Sequence, residues 1–152
     1  MTIRKHYITW LTLIAAGLIC AAPAIGESIS WTPYDTAEKL AETSGKVRFL
    51  YFYTDHCGYC RKIEAETFAD AGVAAYINDH FVPIKINAGK NRNLAASFFV
   101  RGVPATWVIP DKSKPIKLPG GYIPPDRLMP ILKYFGTGSY KTMTFNAFQN
   151  AS

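Results

Sequence analysis

Two cysteines set three positions apart, in the run Cys57-Gly58-Tyr59-Cys60, are the side chains of this sequence best suited to chemistry. Just before them Val47–Tyr53 reads as an apolar strand, and just after them Arg61–Phe68 reads as helix, so the first cysteine falls at a helix N-terminus. There the positive end of the helix dipole favours thiolate over thiol, and in such settings a cysteine pKa falls from about 8.5 to roughly 3.5–7.5. The second cysteine lies one turn on, within reach of the first. Such a pair can pass two electrons by thiol–disulfide exchange, with Cys57 attacking and Cys60 resolving the mixed disulfide. A zinc half-site is the alternative. Zinc takes about four ligands, and beyond the N-terminal segment only His56 and His80 could join the pair, without paired spacing. Arg61 follows Cys60, so the haem-attachment pattern C-x-x-C-H is absent. The residues therefore predict redox chemistry with no metal and no separate cofactor, the Cys57–Cys60 pair being itself the redox group.

The compartment is read from the N-terminus. Arg4, Lys5 and His6 precede the apolar run Tyr7–Ile19, and small residues follow, with Ala22-Pro23-Ala24 as an A-x-A cleavage pattern and Ala24-Ile25-Gly26 as a neighbouring one. Residues 1–26 are expected to be a secretory signal peptide that takes the protein to the periplasm or otherwise out of the cell. The apolar run is shorter than the roughly 20 residues of a membrane span; retention as an uncleaved anchor is the competing reading. Cys20 would leave with the signal peptide, since Gly17-Leu18-Ile19 matches lipoprotein processing poorly. Both cysteines of the mature chain would then lie in the C-x-x-C, in a compartment where disulfides persist. So short a loop does little to stabilise a fold, which favours chemistry over a structural staple.

Charge excludes one class of partner. Seventeen Lys and Arg against eleven Asp and Glu give +6; without Arg4 and Lys5 the balance is 15 against 11, or +4. The cations are scattered rather than gathered along one face, which argues against nucleic acid. A hydrophobic content of 49% and an aromatic content of 14% fit a globular chain. One domain is expected over residues 27–136, followed by a polar, aromatic-dotted C-terminal tail over 137–152.

Several elements must position the cysteines. Ile29 and Trp31 alternate inward in an extended entry, and Asp35 is the expected N-cap of a helix Thr36–Ser44 that buries Ala37, Leu40 and Ala41. Val47–Tyr53 has the composition of a central strand covered on both faces. On the helix after the turn, Cys60, Glu64 and Phe68 share one face. Asp70–Asp79 is a further helix with Val73, Ala74 and Ile77 as its apolar stripe, and Phe81–Asn87 is a strand that Pro83 assigns to an edge or a bulge. A short helix Leu94–Phe99, a strand Ala105–Ile109, a turn Pro110–Lys114, a hairpin partner Pro115–Leu118 and a helix from Pro124-Pro125-Asp126 to Phe135 complete the order. Strands joined through a helix should be parallel, and the later pair antiparallel. The prediction is an α/β fold, a central mixed β-sheet flanked by helices on both faces. Trp31, Trp107 and the phenylalanines are assigned to the core.

That order, with Cys57-Gly58-Tyr59-Cys60 after a buried strand and Gly102-Val103-Pro104-Ala105-Thr106 before another, resembles the thioredoxin superfamily over about residues 31–135. The resemblance implies a thioredoxin fold and a cis Val103–Pro104 bond, with Pro104 lying against the redox pair and the backbone of Val103 binding substrate. More narrowly, C-x-x-C-[RK]-K-x-E-x-x-T-F followed by a strand like FVPIKIN looks like exported thioredoxin-like proteins and is similar to the C-terminal domain of the DsbD-type transmembrane disulfide reductase. Glu64, seven residues after Cys57, matches an acidic residue of that group near its cysteines. Tyr51 stands where those proteins carry a buried aspartate, and His56 where a tryptophan usually precedes the first cysteine. Cys-Gly-Tyr-Cys is also found in some periplasmic disulfide isomerases, whose dimerisation domain has no counterpart in this sequence.

These residues take roles accordingly. Glu64 is the candidate acceptor for the Cys60 proton; paired at i−3 with Arg61, it would be merely structural. His56, if protonated, would stabilise the Cys57 thiolate, or else is an exposed loop histidine. Tyr59 is a candidate substrate-facing aromatic. The leading reading is an exported, monomeric thiol–disulfide oxidoreductase that reduces protein disulfides and draws electrons from a membrane donor. Disulfide oxidase or isomerase activity, and a redox-regulated binding module or chaperone, remain as alternatives.

Overall fold

The computed structural model describes residues 28–110 and 114–151. The signal peptide expected over 1–26, with Cys20, lies outside them, as do three residues of the Pro110–Lys114 turn. The elements follow in the order α1 (Tyr34–Ser44), β1 (Val47–Tyr53), α2 (Gly58–Glu66), α3 (Ala71–His80), β2 (Phe81–Asn87), α4 (Arg92–Ser97), β3 (Ala105–Ile109), β4 (Ile116–Lys117), α5 (Pro125–Gly136), a 3₁₀ turn Ser139–Lys141 and α6 (Phe145–Ala151). The strands form one mixed sheet in the order β2-β1-β3-β4, with β1 parallel to β2 and antiparallel to β3, and β3 antiparallel to β4. Helices cover both faces, as expected of a thioredoxin fold.

The alternation of β1 divides the core in two. Phe49 and Tyr51 point to the face where Ile63 of α2, Val73 and Ile77 of α3, and Leu128 and Leu132 of α5 pack. Leu50 and Phe52 point to the other, against Ala37 of α1, Ala95 of α4, and Trp107 of β3. All four β1 side chains are fully buried, which accounts for a run with almost no polar residue. Pro83 sits in β2 at the sheet edge, where its carbonyl accepts from Thr32 N–H at 2.7 Å. Its missing N–H therefore faces the edge rather than β1, and no ladder bond within the sheet is lost.

Several boundaries differ from expectation. Helix α1 starts at Tyr34, so Pro33 is the N-cap and Asp35 lies in the first turn, where its charge still favours the dipole. Ala37 is buried, but Leu40 is 45% exposed, because the helix approaches the sheet through its small alanines and leaves Leu40 on the flank. Helix α2 ends at Glu66 rather than Phe68. The Thr67 hydroxyl donates to Ile123 O at 2.7 Å, and Phe68 N–H reaches back to Ile63, so both residues are held in the core by contacts a continuing helix would break. Asp70 caps α3 through Val73 N–H at 2.9 Å. The C-terminal segment folds back onto α5: Tyr134 packs against Phe145 and Phe148, its hydroxyl donates to Met143 O, and Phe135 packs on Tyr140.

Phe99 departs most from its assignment to the core. Its side chain is 76% exposed and its φ is +52°. Phe99 N–H bonds Ala96 O at 2.9 Å and Val100 N–H bonds Ala95 O at 3.0 Å, the Schellman closure of α4. Glycine usually holds this left-handed position, and a residue with a Cβ there costs about 1–2 kcal/mol.

Candidate active site

Cys57 is the N-cap of α2, with extended backbone, and its Sγ accepts from Cys60 N–H at 3.0 Å. The cap places one of the free amide protons at the helix start on the sulfur that would carry negative charge. Cys57 and Cys60 are joined by a disulfide, their Cα atoms 5.1 Å apart. Cys57 is half-buried, whereas Cys60 is 2% exposed. Only the first sulfur can be met from outside.

The turn before Cys57 is fastened to the loop after β2. Asn87 Nδ2 donates to Asp55 Oδ1 at 2.7 Å, Asn87 Oδ1 accepts from the N–H groups of Gly89 and Lys90, and Lys90 Nζ lies 3.3 Å from Asp55 Oδ2. Opposite the disulfide, the Val103–Pro104 peptide bond is cis, and Val103 O lies 3.5 Å from Cys57 Sγ. Pro104 is buried and Val103 half-buried, with Gly121 N–H donating to Pro104 O. Tyr59, between the cysteines, is 66% exposed. His56 is exposed on the turn and forms no hydrogen bond or ion pair with the described residues. His80 is remote in role as well as in sequence: it ends α3 and stacks on Tyr76 at 4.2 Å.

Glu64 has partners other than the neighbour expected. Its Oε1 accepts from the Tyr51 hydroxyl at 2.9 Å and its Oε2 pairs with Lys85 Nζ at 3.0 Å; Arg61 makes no ion pair with it. The Tyr51 hydroxyl also lies 3.4 Å from Cys60 O. Tyr51 is fully buried, and that burial, then its bond to the Glu64 carboxylate, pushes its pKa far above the usual tyrosine range. It is thus a neutral donor at any physiological pH, held between the backbone of the buried cysteine and a carboxylate. Lys85 stands opposite Tyr51 in the β1–β2 register and lies over the Tyr53 ring at 4.7 Å. A cleft of about 480 Å³ lined by Glu64, Lys85, Trp31 and Phe68 opens this pair to solvent.

Tyr51 and Lys85 join the surroundings of Glu64 without being among the candidate site residues of the sequence. The signal for Lys85 was a lone cation inside the apolar strand FVPIKIN. The signal for Tyr51 was its place in the position of a buried aspartate, where its polarity was the part to follow.

A disulfide at a helix start, with one cysteine accessible and the other buried, is the apparatus of thiol–disulfide exchange. Residues 34–136 match the family model described as a thioredoxin-like domain. The chain belongs to that family, and it is a thiol–disulfide oxidoreductase. Among solved structures it is similar to a thioredoxin from Thermus thermophilus, at 25% identity and a TM-score of 0.61, covering 70% of this chain and 85% of that one. It is similar in fold to the DsbH oxidoreductase (19% identity, TM-score 0.64, 80% and 93% covered). It also resembles the C-terminal domain of DsbD from Neisseria meningitidis in its reduced form (18% identity, TM-score 0.55, 64% and 89% covered).

Proposed function

We propose that the protein is an exported reductase of polypeptide disulfides, acting through Cys57 and Cys60 and re-reduced by a donor in the membrane. In the reduced enzyme the Cys57 thiolate attacks one sulfur of a substrate disulfide. That S–S bond breaks, a mixed disulfide forms, and the first substrate cysteine leaves as thiolate. Cys60 then gives up its proton and attacks Cys57 Sγ, releasing the second substrate thiolate. Two electrons pass to the substrate and the enzyme is left with its Cys57–Cys60 disulfide, which an external dithiol must reduce before the next turn. Val103 and Pro104 form the wall over which the substrate cysteine is held, Tyr59 contacts the substrate, and His56 adjusts the Cys57 thiolate from the exposed turn.

The observation that carries the reductive direction is the Glu64 carboxylate tied through Tyr51 to the Cys60 end of the pair. A strong oxidant owes its potential to a stabilised thiolate in the reduced form. A carboxylate beside the pair disfavours such a thiolate and is at hand to take the Cys60 proton. Export is supported by the basic, apolar and small-residue segments of residues 1–26. Reduction of insulin disulfides with dithiothreitol as donor tests the reading. Turnover that vanishes in Cys57→Ser is expected; wild-type protein that leaves insulin oxidised would overturn it.

A further inference from the structure

The two clefts beside the redox pair differ in charge. In the one that opens on Glu64, the wall carries one anion and one cation, Glu64 Oε2 and Lys85 Nζ 3.0 Å apart. The second, of about 350 Å³, runs from Thr54 past Arg92, Val100, Arg101 and Gly102 to Val103, and no acidic side chain lines it. Arg92 donates only its Nε, to Gly89 O at 3.4 Å, and Arg101 forms no hydrogen bond or ion pair with the described residues. Asp55, next to Thr54, is the nearest carboxylate in sequence, and both its oxygens are engaged by Asn87 and Lys90. Two guanidinium groups thus face a groove with no internal counter-charge.

The position of the groove says what would supply that charge. It ends at Val103, whose carbonyl is 3.5 Å from Cys57 Sγ. A chain held in mixed disulfide with Cys57 must pass Val103, and its next residues fall in the groove. Alanine and glycine lining residues leave room for a backbone, and the exposed Phe99 stands in the same loop, two residues before Arg101. Guanidinium groups pair bidentately with carboxylates. The matching carboxylates therefore belong to residues that flank the reacting cysteine in sequence.

We propose that this groove selects polypeptide substrates with Asp or Glu close to the disulfide cysteine. The proposal rests on the reading of the protein as a reductase of polypeptide disulfides. Charge complementarity of this kind acts mainly on the rate of encounter, by 10-fold or more, and is weakened by salt.

The test uses three disulfide-linked peptides of equal length, with Glu, Ser or Lys at the positions flanking the cysteine, and glutathione disulfide as a fourth substrate. Second-order rate constants are measured for the reduced protein at about 0.01 M and about 0.5 M salt, which shortens the screening length from about 30 Å to about 4 Å. The Glu peptide is expected to react about 10-fold faster than the Lys peptide, with the ratio falling toward about 1 in high salt and in the double variant R92E/R101E. Lys133→Glu, an exposed charge on α5 at the opposite face, is expected to keep the wild-type ratio; circular dichroism of each variant confirms folding. Equal rates for the Glu and Lys peptides, or a ratio unaltered in R92E/R101E, would overturn the proposal while leaving the reductase reading intact. Glutathione disulfide outpacing the Glu peptide with the same dependence on Arg92 and Arg101 would overturn it too, assigning the groove to that tripeptide's carboxylates. No turnover of any substrate would remove the reductase reading and the proposal together.

Discussion

Strand β1 presents two faces from one backbone, and they have been put to different uses. Leu50 and Phe52 meet Ala95, Phe98 and Trp107 in close apolar packing, and the ion pair of this face, Arg48 with Glu38, lies at its margin. One residue along, Tyr51 turns the other way and carries a hydroxyl to Glu64 and toward Cys60, with Lys85 beyond. The two faces are equally buried at the strand, yet one contributes only cohesion and the other brings a polar cluster beneath a disulfide. A buried hydroxyl without a partner costs about 1–3 kcal/mol; on the polar face Tyr51, Glu64 and Lys85 are paired with one another, whereas Thr106, opposite Tyr51 on β3, keeps its hydroxyl buried without a hydrogen-bond partner among the described residues. On the proposed reading, stability and chemistry in this molecule are separable by the direction of a side chain.

The division can be broken experimentally. Substitutions at the cysteines should have the largest effect on chemistry: Cys57→Ser is expected to lower turnover by at least about 10³-fold, since it removes the nucleophile. Cys60→Ser should accumulate a mixed disulfide with substrate, visible by mass spectrometry. On the apolar face, Phe52→Ala is expected to cost about 3–5 kcal/mol of stability in denaturant titration, with the rate per folded molecule unchanged. If that rate falls with stability, the faces are not separable.

Glu64→Gln sharpens the comparison from the other side. It is expected to slow release of the mixed disulfide by about 10²-fold, the lower end for loss of a general base, while mixed-disulfide formation proceeds; a pH–rate profile identical to wild type would exclude Glu64 as the proton acceptor. Tyr51→Phe keeps the ring and removes the hydroxyl. Because folding raises the Tyr51 pKa, the neutral hydroxyl contributes fully below the unfolded value of about 10, and stability is lost as pH rises above it toward the folded value. The alkaline loss should therefore be shallower in Tyr51→Phe than in wild type, measured as midpoint against pH from 8 to 11. The smallest effect is expected at Phe99, where glycine would relieve the left-handed strain and raise stability by up to about 1 kcal/mol; a lower melting temperature would show that the ring makes up for its backbone.

How far the sequence disclosed this arrangement varied with the range of the interaction involved. The three longer strands were legible to the residue, because β1, β2 and β3 are apolar runs bounded by polar or turn residues. The cysteines, the start of α3 at Asp70 and the placing of Pro83 at an edge followed from local chemistry. Less legible was whatever a distant partner decides. Helix α2 ends early because Thr67 is bound to Ile123, 56 residues on. Glu64 chose Lys85 on another strand over Arg61 one turn away, since the parallel register sets Lys85 opposite Tyr51. Phe99 broke the rule that large apolar side chains are buried, because the closure of α4 turns it outward. The C-terminal aromatics found partners on α5 that no short-range pattern announces.

On the proposed function, Cys57 and Cys60 form a reducing pair, kept so by the polar face of β1. The measurement that meets it most directly is the reduction potential of that pair, by equilibration with glutathione or dithiothreitol buffers. The account predicts a value near that of thioredoxin, about −270 mV, and a shift to less negative values in Glu64→Gln. A potential near −120 mV, that of the strongest oxidants of this kind, would contradict it.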